Sequence, residues 1–239
     1  MKICGFIATT LIDFPGRIAA AAFIEGCNFR CPFCHNPSLV VDTEGNRVIP
    51  QDDILAELGR RRGFLDGVMV SGGEPLIHPE LIGFLEALRT SSLQIKIDTN
   101  GSRPEMLKTL LDRNLVDFIS MDIKATPENY SRAAGVQVDP ERIERSVSLI
   151  RNSGREHEFR TTMVPGIVSP GDIEAIAASL AGAERFVLQQ FRPDVTLDPS
   201  MKSVPPYENS VIQEAAEMAG KYIPEVDVRG IQGSRSRLH

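Results

Sequence analysis

Read for its apolar and polar positions, the chain alternates between two rhythms. Short runs rich in β-branched, alanine and aromatic residues recur at 17–25, 67–71, 93–98, 118–123, 158–164 and 185–191. They are too brief for helices and have strand composition. Between them, apolar residues fall at i, i+3, i+4 and i+7: Ile54, Leu55 and Leu58; Leu81, Ile82, Leu85 and Leu88; Met106, Leu107, Leu110 and Leu111; Ile143, Val147 and Ile150; Ile173, Ile176 and Leu180. That spacing predicts amphipathic helices. Asp139-Pro140 and Ser169-Pro170 supply a side-chain acceptor at the N-cap and a proline at the first helical position, where its missing N–H costs nothing. Strand-then-helix repetition means an α/β protein with a parallel sheet wrapped by helices. Six such units without a reversal predict a partial (β/α)6 barrel of the TIM-like kind, with a doubly wound open sheet as the competing topology. Residues 3–12 form a small strand leading into the sheet, turned by Asp13-Phe14-Pro15-Gly16, whose Pro-Gly pair suits a type II turn. After residue 192 the chain reads as a proline-rich loop over 192–206, covering something, and then a helix.

At 239 residues the chain is near the upper size for one core. Residues 1–229 are expected to form a single domain and 230–239 an unstructured tail. With 42% hydrophobic and 24% charged residues, the composition is that of an ordinary globular protein. A net charge of -6 argues against nucleic acid or anionic lipid as a partner, since both need a basic face. Arg60-Arg61-Arg62 is the one dense basic run and reads as the solvated end of a helix. No apolar run reaches membrane-spanning length. Residues 1–14 are apolar but interrupted by Asp13, and no small-residue cleavage site follows, so a cytoplasmic location is expected. In a reducing compartment clustered thiols are better read as metal ligands or catalytic groups than as disulfides.

In either parallel architecture the ligand site lies at the carboxyl ends of the strands, and the unusual short sequences fall there. Three of the four cysteines follow the first strand at Cys27, Cys31 and Cys34. Ser71-Gly72-Gly73-Glu74-Pro75 follows the second, Asp98-Thr99-Asn100-Gly101 the third, and Asp122-Ile123-Lys124 closes the fourth. Arg160 lies on the fifth strand and Gln189-Gln190 on the sixth.

Structural zinc wants a closed four-ligand tetrahedron, and Cys4 or His35 would have to complete it; His35 adjoins Cys34, which strains chelation of one ion. Cys31-Pro32-Phe33-Cys34-His35 also satisfies the C-x-x-C-H haem attachment pattern, yet leaves Cys27 idle and normally goes with export. A thioredoxin-like pair again ignores Cys27. Three thiolates at C-x3-C-x2-C spacing fit best around a cubane [4Fe-4S] cluster, held through three irons with the fourth open to a ligand.

The C-x3-C-x2-C motif resembles the signature of the radical S-adenosylmethionine (SAM) enzymes, and the alanine-rich strand before it is similar to their first barrel strand. The whole of 25–37, Glu-Gly-Cys-Asn-Phe-Arg-Cys-Pro-Phe-Cys-His-Asn-Pro, resembles the activating enzymes of glycyl radical enzymes. Leu11-Ile12-Asp13-Phe14-Pro15-Gly16 resembles the branch that activates anaerobic ribonucleoside-triphosphate reductase. The resemblance runs from about residue 3 to about 192.

That likeness implies a radical SAM barrel with a [4Fe-4S] cluster on Cys27, Cys31 and Cys34, and SAM chelating the open iron. The thiolates and their surroundings set the cluster's potential. Gly72-Gly73-Glu74-Pro75 resembles the GGEP motif that meets the methionyl amine; alone it would read as a strand-to-helix turn. Asn100-Gly101 could be a hairpin turn, but the helical pattern that follows speaks against it, and Asn100 is implied as a cofactor contact. Asp98, Thr99 and Asp122, with the Ser120 carbonyl, match positions that hold a monovalent cation, Na or K, in pyruvate formate-lyase activators. Lys124 and Arg160 match carboxylate or ribose contacts, against the plainer reading of salt bridges inside the barrel. Arg192 stands where those activators have a histidine. Phe29 and Phe33 are cluster or adenine packing, or filler; Cys4 reads as a buried small apolar side chain.

By the same resemblance the cluster reductively cleaves SAM to a 5′-deoxyadenosyl radical. The radical takes a hydrogen atom from a backbone glycine of a partner glycyl radical enzyme, with anaerobic ribonucleotide reductase the first expectation. A low-potential donor such as flavodoxin or ferredoxin supplies the electron. No general base is needed, which accords with the want of an acid–base dyad. The competing enzyme reading keeps the cleavage and changes the acceptor to a small metabolite, another peptide or a nucleoside. A metal-binding or electron-transfer module without cofactor chemistry is the reading from a different class.

Overall fold

The computed structural model describes residues 1–41 and 45–231. Eight strands form one sheet in the order of the chain: β1 (Ile3–Thr10), β2 (Ala19–Ile24), β3 (Gly67–Gly72), β4 (Gln94–Thr99), β5 (Phe118–Asp122), β6 (Glu156–Met163), β7 (Arg185–Gln190) and β8 (Glu225–Arg229). β1 runs antiparallel to β2, and every later pairing is parallel. The main helices are α2 (Gln51–Arg60), α3 (Leu81–Arg89), α4 (Pro104–Asp112), α6 (Pro140–Arg151), α7 (Pro170–Ser179) and α8 (Asn209–Ala219), with short α1 (Pro37–Val40) and α5 (Tyr130–Ala134) in loops. Six strand-then-helix units, β2–α2 through β7–α8, are therefore present, followed by β8. β1 and β8 stay at the two edges, so the barrel is partial and open.

The helices bury the faces their periodicity marks: Ile54 and Leu58 on α2, Leu81, Leu85 and Leu88 on α3, Ile143, Val147 and Ile150 on α6. Asp139 caps α6 by accepting the Glu141 N–H, and Ser169 and Asp172 form a reciprocal capping box on α7. Gly16, at φ +68°, supplies the left-handed residue of the turn after β1, closed by Arg17 N–H to the Phe14 carbonyl at 3.1 Å.

Alternate strand positions divide the protein. Ala20, Ala22, Val68, Val70, Ile95, Ile97, Ile119, Phe159, Phe186 and Leu188 belong to the core shared with the helices. The opposite set, Lys96 and Asp98 on β4, Ser120 and Asp122 on β5, Glu158 and Arg160 on β6, carries charge and hydroxyls. At the N-terminal ends of the strands this inner face is closed by apolar packing of Phe14, Ala19 and Phe118. The two rings meet edge to face at 5.6 Å, and a Cβ on Gly67 would stand 2.7 Å from the Phe14 ring. The LIDFPG segment thus delivers a plug.

β8 was hidden in the sequence. Only a loop and a helix are expected after residue 192, whereas Glu225-Val226-Asp227-Val228-Arg229 adds a further strand of alternating charged and apolar residues. Asp227 and Arg229 meet Arg185 and Glu158. Residues 192–206 include a 3-10 turn at Pro199–Ser203 with Met201 buried. Ile231 is buried against the core; residues 232–239, most of the expected tail, lie outside the described residues.

Candidate active site

The chain leaves β2 through Gly26, at φ +98°, into the cysteine loop, which is fastened on three sides. Arg30 N–H donates to the Ala134 carbonyl at 2.8 Å, Asp198 N–H to the Pro32 carbonyl at 2.9 Å, and Asn28 Nδ2 to Ser102 Oγ at 2.8 Å. Gly135 is the one residue type that allows the first contact, since its Cβ would lie 2.0 Å from the Arg30 oxygen. What the proline-rich segment covers is this loop.

Cys27, Cys31 and Cys34 line one cavity of about 210 Å³ together with Gly72, Gly73 and Asn100. Burial pushes the Cys27 thiol up to about 12 and raises Cys31 as well, so a metal group would have to displace protons to bind there. Phe29 N–H and Asn36 N–H point at the Cys27 and Cys34 sulfurs, at 3.3 and 3.4 Å; such bonds tune iron–sulfur potentials. Among the described residues the thiols do not converge as the ligands of a single ion would. Three soft donors spread around a cavity fit the corners of a cluster. Phe29 and Phe33 are buried and line the same cavity.

Gly72 and Gly73 are required by the backbone itself. A Cβ on Gly72 would sit 2.2 Å from the Ile24 oxygen, and one on Gly73 2.0 Å from the Gly26 oxygen. Gly73 N–H and Glu74 N–H then bond Ile24 and Gly26 carbonyls at 2.9 and 2.8 Å, which draws the motif against the cysteine loop. Asn36 Nδ2 reaches the Gly72 carbonyl at 3.4 Å. Glu74 is 0% exposed and its carboxylate accepts Asn100 N–H (2.6 Å), Thr99 Oγ1 (2.8 Å) and Leu76 N–H (3.0 Å). Its side chain ties the end of β3 to the end of β4 and is not part of the cavity lining. Burial raises this carboxyl to about 7 against those three donors. Asn100 does face the cavity, with Nδ2 on Asn28 Oδ1 at 3.1 Å and 3.9 Å from the Cys27 sulfur; no hairpin forms, and α4 begins at Pro104.

Charged groups make the opposite wall. Arg160 bridges two strands, Nη1 to Asp98 Oδ2 at 3.0 Å and Nε to Asp122 Oδ1 at 2.8 Å, while Lys124 Nζ meets Asp122 Oδ2 at 2.9 Å. Burial opposes ionisation of Asp122, but Arg160 and then Lys124 hold its carboxyl below the usual carboxylate range. Lys124 and Arg160 are raised above their ordinary values once Asp122 outweighs burial. The expected salt-bridge reading of Lys124 and Arg160 is thus realised, and both still line the cavity. Of the residues matched to a monovalent cation, Thr99 spends its side chain on Glu74, and Asp98 and Asp122 spend theirs on cationic groups; Ser120, matched through its carbonyl, gives its hydroxyl to Glu158 at 2.8 Å. That donor set does not fit an added ion.

Several participants escaped the sequence reading. Lys96 sits 1% exposed on Asp98, and nothing in Gln-Ile-Lys-Ile-Asp marks it but a lone lysine in an apolar run. Glu158, fully buried, takes two bonds from Arg229 at 2.8 and 3.1 Å; burial would raise it, yet Arg229, followed by Arg160 and Lys96, brings it down to about 2. Thr162 also lines the cavity, beside Gln189, which the sequence had already placed at the end of the sixth strand. His35 lies there, its pKa lowered by burial and then by Lys124 and Arg192, so its imidazole is neutral. Arg192 is exposed and is absent from the cavity wall. Cys4 corrects its expectation: it is half-buried and polar in its contacts, with Sγ donating to Glu25 Oε2 at 3.3 Å.

Residues 22–180 match the radical SAM superfamily. The chain is 30% identical, over 237 residues and 97% of both chains, to a protein of Methanocaldococcus jannaschii named as a glycyl-radical enzyme activating enzyme. It is 34% identical over 119 residues, 48% of each chain, to the pyruvate formate-lyase-activating enzyme of Clostridium pasteurianum. Among solved structures, Streptococcus suis SuiB bound to its precursor peptide SuiA superposes with a TM-score of 0.70 at 16% identity, over 92% of this chain and 50% of that one.

Proposed function

This chain belongs to the radical SAM superfamily, and we propose that it activates a glycyl radical enzyme, with anaerobic ribonucleoside-triphosphate reductase as the partner. A [4Fe-4S] cluster with SAM, when bound, would supply one-electron reductive cleavage of the sulfonium carbon–sulfur bond and, through it, hydrogen-atom abstraction from the partner's glycine. In this reading Cys27, Cys31 and Cys34 hold the cluster. Gly72 and Gly73 would present backbone carbonyls to the methionyl amine, and Asn100 would orient the cysteine loop beside them through Asn28. Lys124 and Arg160 would set two cationic groups on the far wall, suited to the methionyl carboxylate. Phe29 and Phe33 keep water from the cluster side. Protein groups position and exclude, and none needs to move a proton.

The observation that carries the reading is the meeting, in one cavity, of three thiols at C-x3-C-x2-C spacing with a glycine pair and a cationic wall. The likeness in name of the Methanocaldococcus relative, across 97% of both chains, supports the activase class. The LIDFPG segment supports the reductase branch. A low-potential flavodoxin or ferredoxin is the proposed electron source, and the cytoplasm the proposed location; no helix among the described residues is long and apolar enough to cross a membrane.

The test is anaerobic reconstitution with counting of iron, sulfide and 5′-deoxyadenosine, then transfer of deuterium from a reductase carrying α-deuterated glycine. Deuterium is expected in 5′-deoxyadenosine. Cys27→Ala should abolish the cluster and Cys4→Ala leave it intact. A colourless protein holding one tetrahedral zinc would overturn the superfamily chemistry, and vigorous SAM cleavage without deuterium transfer would overturn the partner.

A further inference from the structure

All four carboxylate oxygens of Asp98 and Asp122 are taken by cationic side chains. Asp98 Oδ1 accepts Lys96 Nζ and Oδ2 accepts Arg160 Nη1; Asp122 Oδ1 accepts Arg160 Nε and Oδ2 accepts Lys124 Nζ. The hydroxyls beside them are also engaged. Thr99 Oγ1 donates to Glu74 and accepts the Gly101 N–H at 3.1 Å, and Ser120 Oγ donates to Glu158. Glu158 offers no spare oxygen, since Arg229 takes both. Three cations, Lys96, Arg160 and Lys124, therefore face two carboxylates, a surplus of one positive charge before any ion or ligand arrives. An alkali ion entering here would lose its water without gaining a free anionic oxygen, and would meet like charge at short range.

Lys96 helps to hold Glu158 ionised, but its hydrogen-bonded partner is Asp98. Lysine is almost never fully buried unless paired, and β4 places this one two residues before Asp98 on the inner face, where the ammonium ends on Asp98 with its side chain 2% exposed. Arg160 and Lys124 line the cavity, whereas Lys96 does not. Its ammonium stands behind Asp98 and neutralises it from the interior side.

We infer that Lys96 is a built-in cation of this site: its tethered ammonium does the work of a monovalent metal ion at Asp98, so that the cofactor pocket functions without sodium or potassium. The inference rests on reading the pocket as the SAM site. A covalently held ammonium has an effective concentration no salt solution matches and cannot exchange, so SAM affinity becomes insensitive to the alkali ion present. Lys96 is a positioning residue in this scheme, acting on SAM through Asp98 and Arg160.

The test uses reconstituted holoprotein in buffers of equal ionic strength whose cation is potassium, sodium or N-methylglucamine. SAM dissociation constants are read by equilibrium dialysis, and thallous ion is located by anomalous scattering in crystals free of SAM and in crystals containing it. Wild-type affinity is expected to change by less than about twofold among the buffers. Lys96→Met, which leaves two cations against two carboxylates, is expected to bind SAM about tenfold more weakly in N-methylglucamine and to recover in potassium, within the usual range of site coupling. Thallium should appear between Asp98 and Asp122 in the variant and not in the wild type. A wild type that loses affinity without alkali ion, or that shows the thallium peak, overturns the inference, and so does a variant whose affinity is the same in every buffer or is lost without rescue. The wild-type arms decide even if Lys96→Met does not fold. Absence of SAM binding in every buffer would sink the cofactor reading of the pocket instead, and the thallium map of SAM-free crystals would still decide whether Lys96 fills the site.

Discussion

Glu74 accepts the backbone N–H of Asn100 at 2.6 Å from a position with no solvent exposure, so a side chain from one signature loop fixes the main chain of the next. The bond sets the distance between the end of β3 and the end of β4, and with it the width of the cavity on that side.

Glu74→Gln keeps the shape but cannot accept Asn100, Thr99 and Leu76 with the same two oxygens. A loss of about 1–3 kcal/mol in unfolding free energy is expected, the cost of buried donors left unmet. The pH dependence follows from the sign of the shift. Burial raises the folded carboxyl from 4.5 to about 7, so the folded state binds the extra proton between those values. The contribution to stability is fully present below about 4.5 and is lost as pH rises to about 7. Urea titrations between pH 4.5 and 7.5 should show this slope in the wild type and a flatter one in Glu74→Gln; equal slopes would refute the assignment.

Phe14→Ala should cost about 3–5 kcal/mol, the usual loss for a fully buried aromatic. The ring sits at the end of the sheet remote from the cysteines, so iron bound per folded molecule should not change. Denaturation midpoints and iron analysis on the same samples check both halves.

Gly73→Ala places a methyl 2.0 Å from the Gly26 carbonyl oxygen, and backbone cannot yield as a flexible side chain can. The expected product is a folded chain with sharply reduced iron and SAM retention. Normal iron and SAM stoichiometry would show that β3 and the cysteine loop can separate without loss.

Arg229→Met strips Glu158 of both guanidinium bonds and leaves a buried carboxylate to Ser120 and more distant cations. Breaking such a pair from one side costs about 3–5 kcal/mol. The double variant Arg229→Met with Glu158→Gln should recover part of it, and chemical denaturation of the two variants measures the coupling.

The strands and helices that carry regular apolar rhythm were legible because one periodicity decides each of them. The cysteines, glycines and Asp-Thr-Asn-Gly were legible because their spacing is unusual. What escaped was the rest of the polar inner face, beyond Asp98, Ser120, Asp122 and Arg160. Lys96, Glu158 and Arg229 lie far apart in sequence, and in isolation each reads as a surface charge; only the register that sets Ser120 beside Glu158 and Asp122 beside Arg160 makes them one network. β8 was missed for the same reason, because Asp227 and Arg229 find their partners on nearby strands, Arg185 on β7 and Glu158 on β6. Glu74 was anticipated as part of a ligand motif, whereas its carboxylate serves the architecture around that motif.

The fastening of the cysteine loop by Ala134, Asp198 and Ser102 separates metallation from folding. Hydrogen bonds to elements on both sides tie this loop of thiols to the fold without using a sulfur, so the polypeptide is expected to keep its shape without iron, unlike small zinc domains that collapse when chelated. A molecule stripped by oxygen would remain a competent receptacle, ready for recharging by the assembly machinery instead of being sent for degradation. Near-ultraviolet circular dichroism that stays unchanged after anaerobic chelation, followed by full recovery of colour on adding iron and sulfide, would be the mark of such a reusable shell.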